Sequence, residues 1–345
     1  MEIDGSYGEG GGQLLRFALG LSALLGEELK VVNIRANRTP PGLRPQHLAA
    51  VKAVSKLANA RTEGVSVGSS AIKFSPGRVA GGNFEFDVGT AGSVTLVLQA
   101  LLPVALMAER TVSGVIRGGT EVRWSPTVDY FERVFARGLR AMGVDLSLRL
   151  AKSGYYPKGG GVVEFRVEPT PELRPLVAVE DPGDALVCKG VSRCARLPTS
   201  VAERQASSAR ALLASNGVRV GDLEIISTNE PDSPGSSVTL WADSPRSTFI
   251  GAECIGERGK PAEIVGSEAA RAFLSCVEAR SATDEHFADM ILPYMLKARG
   301  RSTITTTRIS RHLSTEVHVA REFKVAEISI DSGRSPPILT VSPNA

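Results

Sequence analysis

The sequence predicts an α+β protein in which one helix-and-strand unit is used three times and the third use is interrupted by a second domain. Three observations predict it. Apolar periodicity repeats one order of helix, strand, helix and two closing strands. The pattern changes character between residues 184 and 280. The chain's 345 residues also exceed what one hydrophobic core usually serves. Half-open sheets that expose one helix-covered face pack those helices together, so three units imply one shared core. The expected boundaries are 1–183 with 281–345 for the large domain and 184–280 for the inserted one.

In the first unit, Gly12 to Leu25 has helical spacing, Leu29 to Ile34 reads as a strand and Arg44 to Ala60 as a helix. Thr62 to Val67 and Ala71 to Phe74 close it as a hairpin. The second unit follows at once: helix Ala91 to Ala108, strand Arg110 to Arg117, helix Val128 to Met142, then strands Val144 to Ala151 and Val162 to Val167. A third begins near Leu173 and breaks off. From Asp184 to Arg280 the order is strand, helix, three strands and helix, with its own loop chemistry at Asn229 to Ser237. The third unit then resumes with helix Asp284 to Ala298, strand Ser302 to Ile309, a short helix beginning after His312, and strands Val325 to Asp331 and Ile338 to Val341.

Composition narrows the classes of function. Hydrophobic residues are 42% of the chain, enough for the cores required. A formal net charge of +3 argues against coating nucleic acid along the whole surface, so any such contact must be local. Arginine clusters then matter more than the total, because a guanidinium meets phosphate oxygens two at a time. Met1 runs directly into Glu2, Asp4 and glycines without a signal pattern, and the expectation is a cytoplasmic protein. The apolar run Ser93 to Ala108 is interrupted by Gln99 and Pro103 and falls short of the about 20 residues that span a bilayer. Cys188, Cys194, Cys254 and Cys276 lack the C-x-x-C spacing of structural zinc, and a local disulfide among them is left open.

Four segments can carry chemistry. Gly8-Glu9-Gly10-Gly11-Gly12-Gln13 leads glycines straight into a helix, which leaves backbone N–H groups bare and favours an anion such as phosphate. Glu9 is the candidate for a divalent cation there, while Gln13 and Arg16 lie on the first helical turns. Arg35, Arg38 and Arg44, on a proline-stiffened loop that ends in Gln46 and His47, form a candidate phosphate clamp. His47 itself reads as a helix-start residue. Gly89-Thr90-Ala91-Gly92-Ser93 opens the helix that carries Gln99, and its small residues suit either close backbone approach or helix packing. Gly118-Gly119-Thr120-Glu121 leads to Trp124-Ser125-Pro126, and Lys158-Gly159-Gly160-Gly161 reads as a hairpin turn. The fourth segment pairs Asp284 to Asp289, which includes His286, with Ser310-Arg311-His312-Leu313-Ser314-Thr315-Glu316. Spacing alone does not decide whether His312 is structural or catalytic.

Taken in order, GSYGEGGGQLLR, IRANRTPPGLRPQHL, GTAGSVTLVLQ, GGTEVRWSP, YYPKGGGVVEF, the HFADMILP helix and SRHLSTEVHVAREF closely resemble the RNA 3'-terminal phosphate cyclase family, in its archaeal type. The resemblance runs from Met1 to Phe323 and leaves the interrupting region least distinctive. It implies three βαβαββ-type units, each similar to the C-terminal domain of a bacterial translation initiation factor and related to the enolpyruvyl transferases. A smaller thioredoxin-like domain would be inserted in the third. It implies ATP as cosubstrate with Mg2+ or Mn2+, RNA ending in a 3'-phosphate as partner, and conversion of that phosphate to a 2',3'-cyclic phosphate. His312 would carry AMP, with Arg16 and Arg38 at the reacting phosphates. Glu9 would meet the metal, and Arg35, Arg38, Gln46 and Gln13 would meet phosphates of ATP or RNA. Gln99 and Asp289 would address the nucleotide, and Pro126 and His286 would sandwich adenine. The family commonly has tyrosine at position 286, glutamine at 290 and asparagine at 316, where this chain has His286, Met290 and Glu316.

Two rivals remain at this stage. A cyclase-like branch that binds RNA or ribosome-assembly partners without catalysis lacks the histidine, so retention of His312 with Arg35 and Arg38 favours the enzyme. An enolpyruvyl transferase would need lysine and arginine segments that are missing here. His318 lacks motif support and reads as structural. The oligomeric state stays open, with a homodimer among the options.

Overall fold

A computed structural model describes residues 1–183 and 185–344. Asp184, where the interruption is expected to begin, and the terminal Ala345 lie outside the described residues.

The first sheet grows from β1 (Glu2–Asp4), followed by α1 (Gly12–Leu25), β2 (Leu29–Val32), α2 (Pro45–Leu57), β3 (Arg61–Glu63) and β4 (Ile72–Ser75). Helix α1 starts where the glycine run gives way to leucines at helical spacing, and it ends at Gly26, whose left-handed backbone returns its N–H to Ser22. Next come β5 (Gly82–Asp87), α3 (Val94–Ala105) and β6 (Val112–Gly118). They are followed by α4 (Val128–Tyr130), a π-helical turn over Phe131–Phe135, α5 (Ala136–Ala141), β7 (Leu146–Lys152) and β8 (Gly161–Val167).

After the two-residue strand β9 (Val177–Ala178), the chain enters β10 (Val187–Ala195), α6 (Ser200–Ser215), β11 (Arg219–Thr228), β12 (Gly235–Asp243), β13 (Gly251–Ile255) and α7 (Ala262–Glu278). It closes with α8 (Glu285–Met295), β14 (Ser302–Thr305), α9 (Arg311–Glu322), β15 (Ala326–Asp331) and β16 (Ile338–Pro343).

The sheets run β1-β2-β4-β3, β5-β6-β8-β7, β9-β14-β16-β15 and β11-β10-β12-β13. In each of the first three a parallel edge pair (Glu2 with Lys30, Gly82 with Val112, Thr303 with Val177) continues into antiparallel strands. The α+β class is therefore present as mixed sheets with helical crossovers between the parallel strands. One apolar cluster joins Leu15 and Leu19 of α1, Leu98 of α3, Phe287 of α8 and Val319 of α9. A second, between Leu186 and Cys276, is drawn from β10 to α7 alone. Area removed from water, at roughly 25 cal/mol per Å2, is what holds both together.

Several expectations are corrected. The leading strands β1, β5 and β9 escaped the periodicity, because two or three residues cannot display alternation and Gly81-Gly82 masks the start of Phe84 and Phe86. The strand expected over 302–309 stops at Thr305, and the next helix begins at Arg311 rather than after His312. Ser310 is its cap, accepting from the Leu313 N–H at 2.8 Å, so His312 sits inside the first turn. Among the described residues all four cysteines are free thiols, and no helix is long and apolar enough to cross a membrane.

Candidate active site

The glycine turn reaches the start of α9 because Gly8, in the left-handed region at φ 61°, leaves no side chain where Thr315 Oγ1 approaches. That contact brings Glu9 to His312: Nε2 of the imidazole lies 3.1 Å from Glu9 Oε2. On the other side of the ring, Nδ1 lies 3.7 Å from Asp289 Oδ2, and Asp289 Oδ1 accepts from the Ser310 hydroxyl at 2.6 Å. Two carboxylates thus bracket one imidazole, each facing a different nitrogen.

Burial, aided by the charge of Arg16 and by His286, holds His312 below its ordinary 6.5 against the pull of Glu9. The ring is therefore neutral near pH 7, with a lone pair available. Burial pushes the Asp289 carboxyl up to about 7 despite the Ser310 hydrogen bond. At His286 burial opposes the charged form, but Asp284, Asp289, Glu285 and Glu253 outweigh it and the net shift is upward.

His312 opens onto a cavity of about 530 Å3 whose wall includes Gln13, Arg16, Gln99, Pro126, His286, Asp289 and Glu316. Arg16 Nε and Glu316 Oε2 are buried without a partner, and burial lowers the guanidinium to about 10. Gln13 donates to Glu316 Oε1 at 2.6 Å. A buried cation with an unsatisfied donor, beside the bare N–H groups at Gly11 and Gly12 where α1 has no side-chain cap, is suited to an anion.

The remaining expected residues fall outside the wall. Arg38 reaches the site through Glu9, donating from Nε to its carbonyl at 3.1 Å with a terminal nitrogen 3.6 Å from Oε2. Arg35 is turned onto its own loop, donating to the carbonyls of Pro40 and Gly42 at 2.8 and 3.1 Å. Gln46 donates to the Ser93 carbonyl at 3.2 Å. His47 accepts from the Arg44 N–H at 3.2 Å, and burial with Arg16, Arg35 and Arg44 around it depresses its ring to about 3, so it is a neutral helix-start residue. His318 stacks on Tyr7 with ring centres 3.6 Å apart, a structural role.

Sequence reading missed the contribution of the β10–α7 segment. Glu253 of β13 and Lys260 face the same cavity, and Glu253 Oε2 accepts from the Thr127 N–H at 2.8 Å. Burial raises that carboxyl to about 7. The available signal was a charge in a short apolar strand, Ala252-Glu253-Cys254, where alternation sends its side chain to the face opposite the buried Ala252. Arg123 and Tyr130 were likewise passed over beside the noticed Trp124-Ser125-Pro126.

A protein 46% identical over 342 residues, covering 98% of this chain and 97% of its own, is the RNA 3'-terminal phosphate cyclase of Methanopyrus kandleri. One of the same name from Pyrococcus furiosus is 44% identical over 341 residues and 98% of both chains. A third, from Caldivirga maquilingensis, is 42% identical over 345 residues, or 99% of this chain and 97% of that one. Among solved structures, the enolpyruvyl transferase NikO from Streptomyces tendae covers 100% of this chain and 66% of its own at a TM-score of 0.27 and 12% identity. The family model described as RNA 3'-terminal phosphate cyclase matches residues 7–330, and with those relatives it shows that the chain belongs to the RNA 3'-terminal phosphate cyclase family.

Proposed function

We propose that this chain is a ligase that converts the 3'-terminal phosphate of an RNA into a 2',3'-cyclic phosphate, consuming ATP by way of AMP carried on His312. The observation that carries the reading is a neutral imidazole held between Glu9 and Asp289 on the wall of a cavity that also presents the unpartnered Arg16 Nε.

In the first step Nε2 of His312 bonds to the α-phosphorus of ATP, the bond to the bridging oxygen breaks, and pyrophosphate leaves. His312 keeps its proton on Nδ1, toward Asp289, which offsets the positive charge that develops on the ring. An oxygen of the RNA 3'-phosphate then displaces the imidazole from phosphorus and forms a pyrophosphate linkage to AMP. Last, the vicinal 2'-hydroxyl attacks the activated 3'-phosphorus and AMP departs. Intramolecular closure is worth on the order of 10⁵ M in effective concentration, so holding the ribose in place supplies most of what this step needs.

Arg16, Gln13 and the α1 terminus face the phosphates, with Arg38 beside Glu9. Arg35 and Gln46 brace the loops that carry them. Gln99, Pro126 and His286 frame the adenine. Among the described residues no three His, Cys, Asp or Glu converge into a metal cage, whereas the single Glu9 carboxylate beside His312 suits a hard cation that arrives on its phosphates. Glu9 would hold Mg2+ or Mn2+ there, and the ion would supply positive charge to offset that of the phosphates. The three sheets of like strand order we read as one βαβαββ unit used three times (1–183 and 281–345), with a thioredoxin-like domain inserted over 184–280.

The test is incubation with α-labelled ATP and magnesium. Label is expected on the protein through an acid-labile, alkali-stable bond, and His312→Ala is expected to abolish it; label that persists in the variant would remove His312 from the role. Thin-layer analysis of a 3'-phosphorylated oligoribonucleotide treated with enzyme and ATP is expected to show the cyclic product.

A further inference from the structure

We propose that Trp124 is a stacking platform for a nucleobase at the 3' end of the RNA, with Arg123 as its cationic flank. The inference rests on the cyclase reading and adds a positioning residue to it.

The chain has two tryptophans, and they are treated differently. Trp241 packs partly buried against the main core, whereas Trp124 is 89% exposed on the cavity rim. Its backbone is left-handed at φ 66°, a conformation disfavoured for a bulky side chain. A ring that buries almost nothing in the free protein gives back no packing energy for that conformation, so its use must lie with a ligand.

The segment that holds the ring is anchored on both sides. Glu121 bridges to Tyr155, Ser125 donates to the Val122 carbonyl at 3.0 Å, and the Pro126 carbonyl accepts from Thr95 Oγ1 at 2.7 Å. The Arg123 guanidinium lies 5.2 Å from the Trp124 ring centre and 3.2 Å from Glu257 Oε2, so it is itself positioned. A fixed, solvent-facing indole with an arginine against it is the chemistry that receives an unpaired base and its phosphate. Pro126, two residues on, is assigned to adenine inside the cavity, which leaves Trp124 facing outward, where the RNA must enter.

The experiment compares wild type with Trp124→Ala and Trp124→Phe in three measurements: labelling by ATP alone, KM and kcat for a 3'-phosphorylated oligoribonucleotide, and quenching of tryptophan fluorescence by that oligonucleotide. A second oligonucleotide lacks bases on its last two nucleotides. Trp124→Ala is expected to label at the wild-type rate while raising KM for the RNA about tenfold, roughly 1.4 kcal/mol, with Trp124→Phe within about threefold of wild type. Wild type is expected to bind the base-less probe about tenfold less tightly than the intact one, and Trp124→Ala to bind both alike. Trp124→Ala that still prefers the intact probe overturns the proposal, as does a loss confined to labelling, which would assign the ring to ATP. Wild type that takes no label but shows base-dependent quenching, lost in Trp124→Phe, would separate failure of the cyclase reading from failure of the platform.

Discussion

Burial and the charge of Arg16 hold His312 neutral near pH 7 against the pull of Glu9, while the proposed transfer needs Asp289 charged beside Nδ1. These two requirements titrate at different pH. Asp289 is raised to about 7 by burial, so its charged form is present above that value, and self-labelling by ATP is expected to rise as pH passes upward through about 7. Asp289→Asn should remove that inflection, leaving only the lower-pH step of His312; a single-turnover labelling profile checks it. Glu121 shows the same physics without the chemistry. Both its oxygens are buried without partners, and burial, then the charge of Asp129, raises its carboxyl well above 4.5. A raised carboxyl stabilises the fold fully below its unfolded value of 4.5 and loses that contribution as pH climbs toward the folded value. Wild type should therefore lose up to about 1.4 kcal/mol per pH unit from this group above pH 4.5, and Glu121→Gln should flatten that slope in melts across pH 5 to 8.

Among elements, the start of α1 does the most with the least. Gly11 and Gly12 both leave N–H groups bare, but their surroundings differ: a Cβ at Gly11 meets open space, and one at Gly12 falls 2.0 Å from His47 Nε2. Gly12→Ala is expected to cost about 1–3 kcal/mol in denaturant unfolding by overpacking and to weaken ATP binding as His47 and the arginine loop shift. Gly11→Ala should cost well under 1 kcal/mol, since its backbone at φ −90° suits alanine. Equal losses in the two variants would show that the helix end senses residue type and not the His47 contact. The first turn of α9 follows a related logic: the Ser310 cap both ends the preceding loop and ties Asp289 to the helix that carries His312.

Across the whole molecule the cavity exists because distant segments close on one another. α1, the 121–126 loop, α8, α9 and β13 each contribute wall residues. The seam between the β10–α7 segment and the rest is pinned by Arg193, whose guanidinium pairs with Asp129 at 2.7 Å, and by Asp284, which accepts from the Gly251 N–H at 2.8 Å and from the Tyr130 hydroxyl at 2.6 Å. Arg193→Ala is expected to destabilise by about 3 kcal/mol, because it strands a largely buried Asp129, and Arg193→Ala with Asp129→Ala should recover part of the loss. The single variant should also raise KM for ATP, since Glu253 rides on the same sheet; steady-state kinetics beside a denaturation curve distinguishes the two effects.

Helices and most strands were legible in the chain because periodicity and punctuation are local: α1 begins at the residue its glycine run indicates, and β8, β15 and β16 follow their alternation closely. The glycine turn was legible as a candidate anion site for the same reason, whereas the histidine segment was singled out as catalytic only by the family resemblance. Convergence was not, since Glu9 and His312 lie 303 positions apart and no local rule couples them. Nor could any local pattern show that Glu253 would join a cavity built from other sheets, or that Arg35 would brace its own loop while Arg16 stood unpartnered in the wall. Backbone preference is written residue by residue, whereas burial and the charge it shifts belong to whichever surfaces the packed core brings face to face.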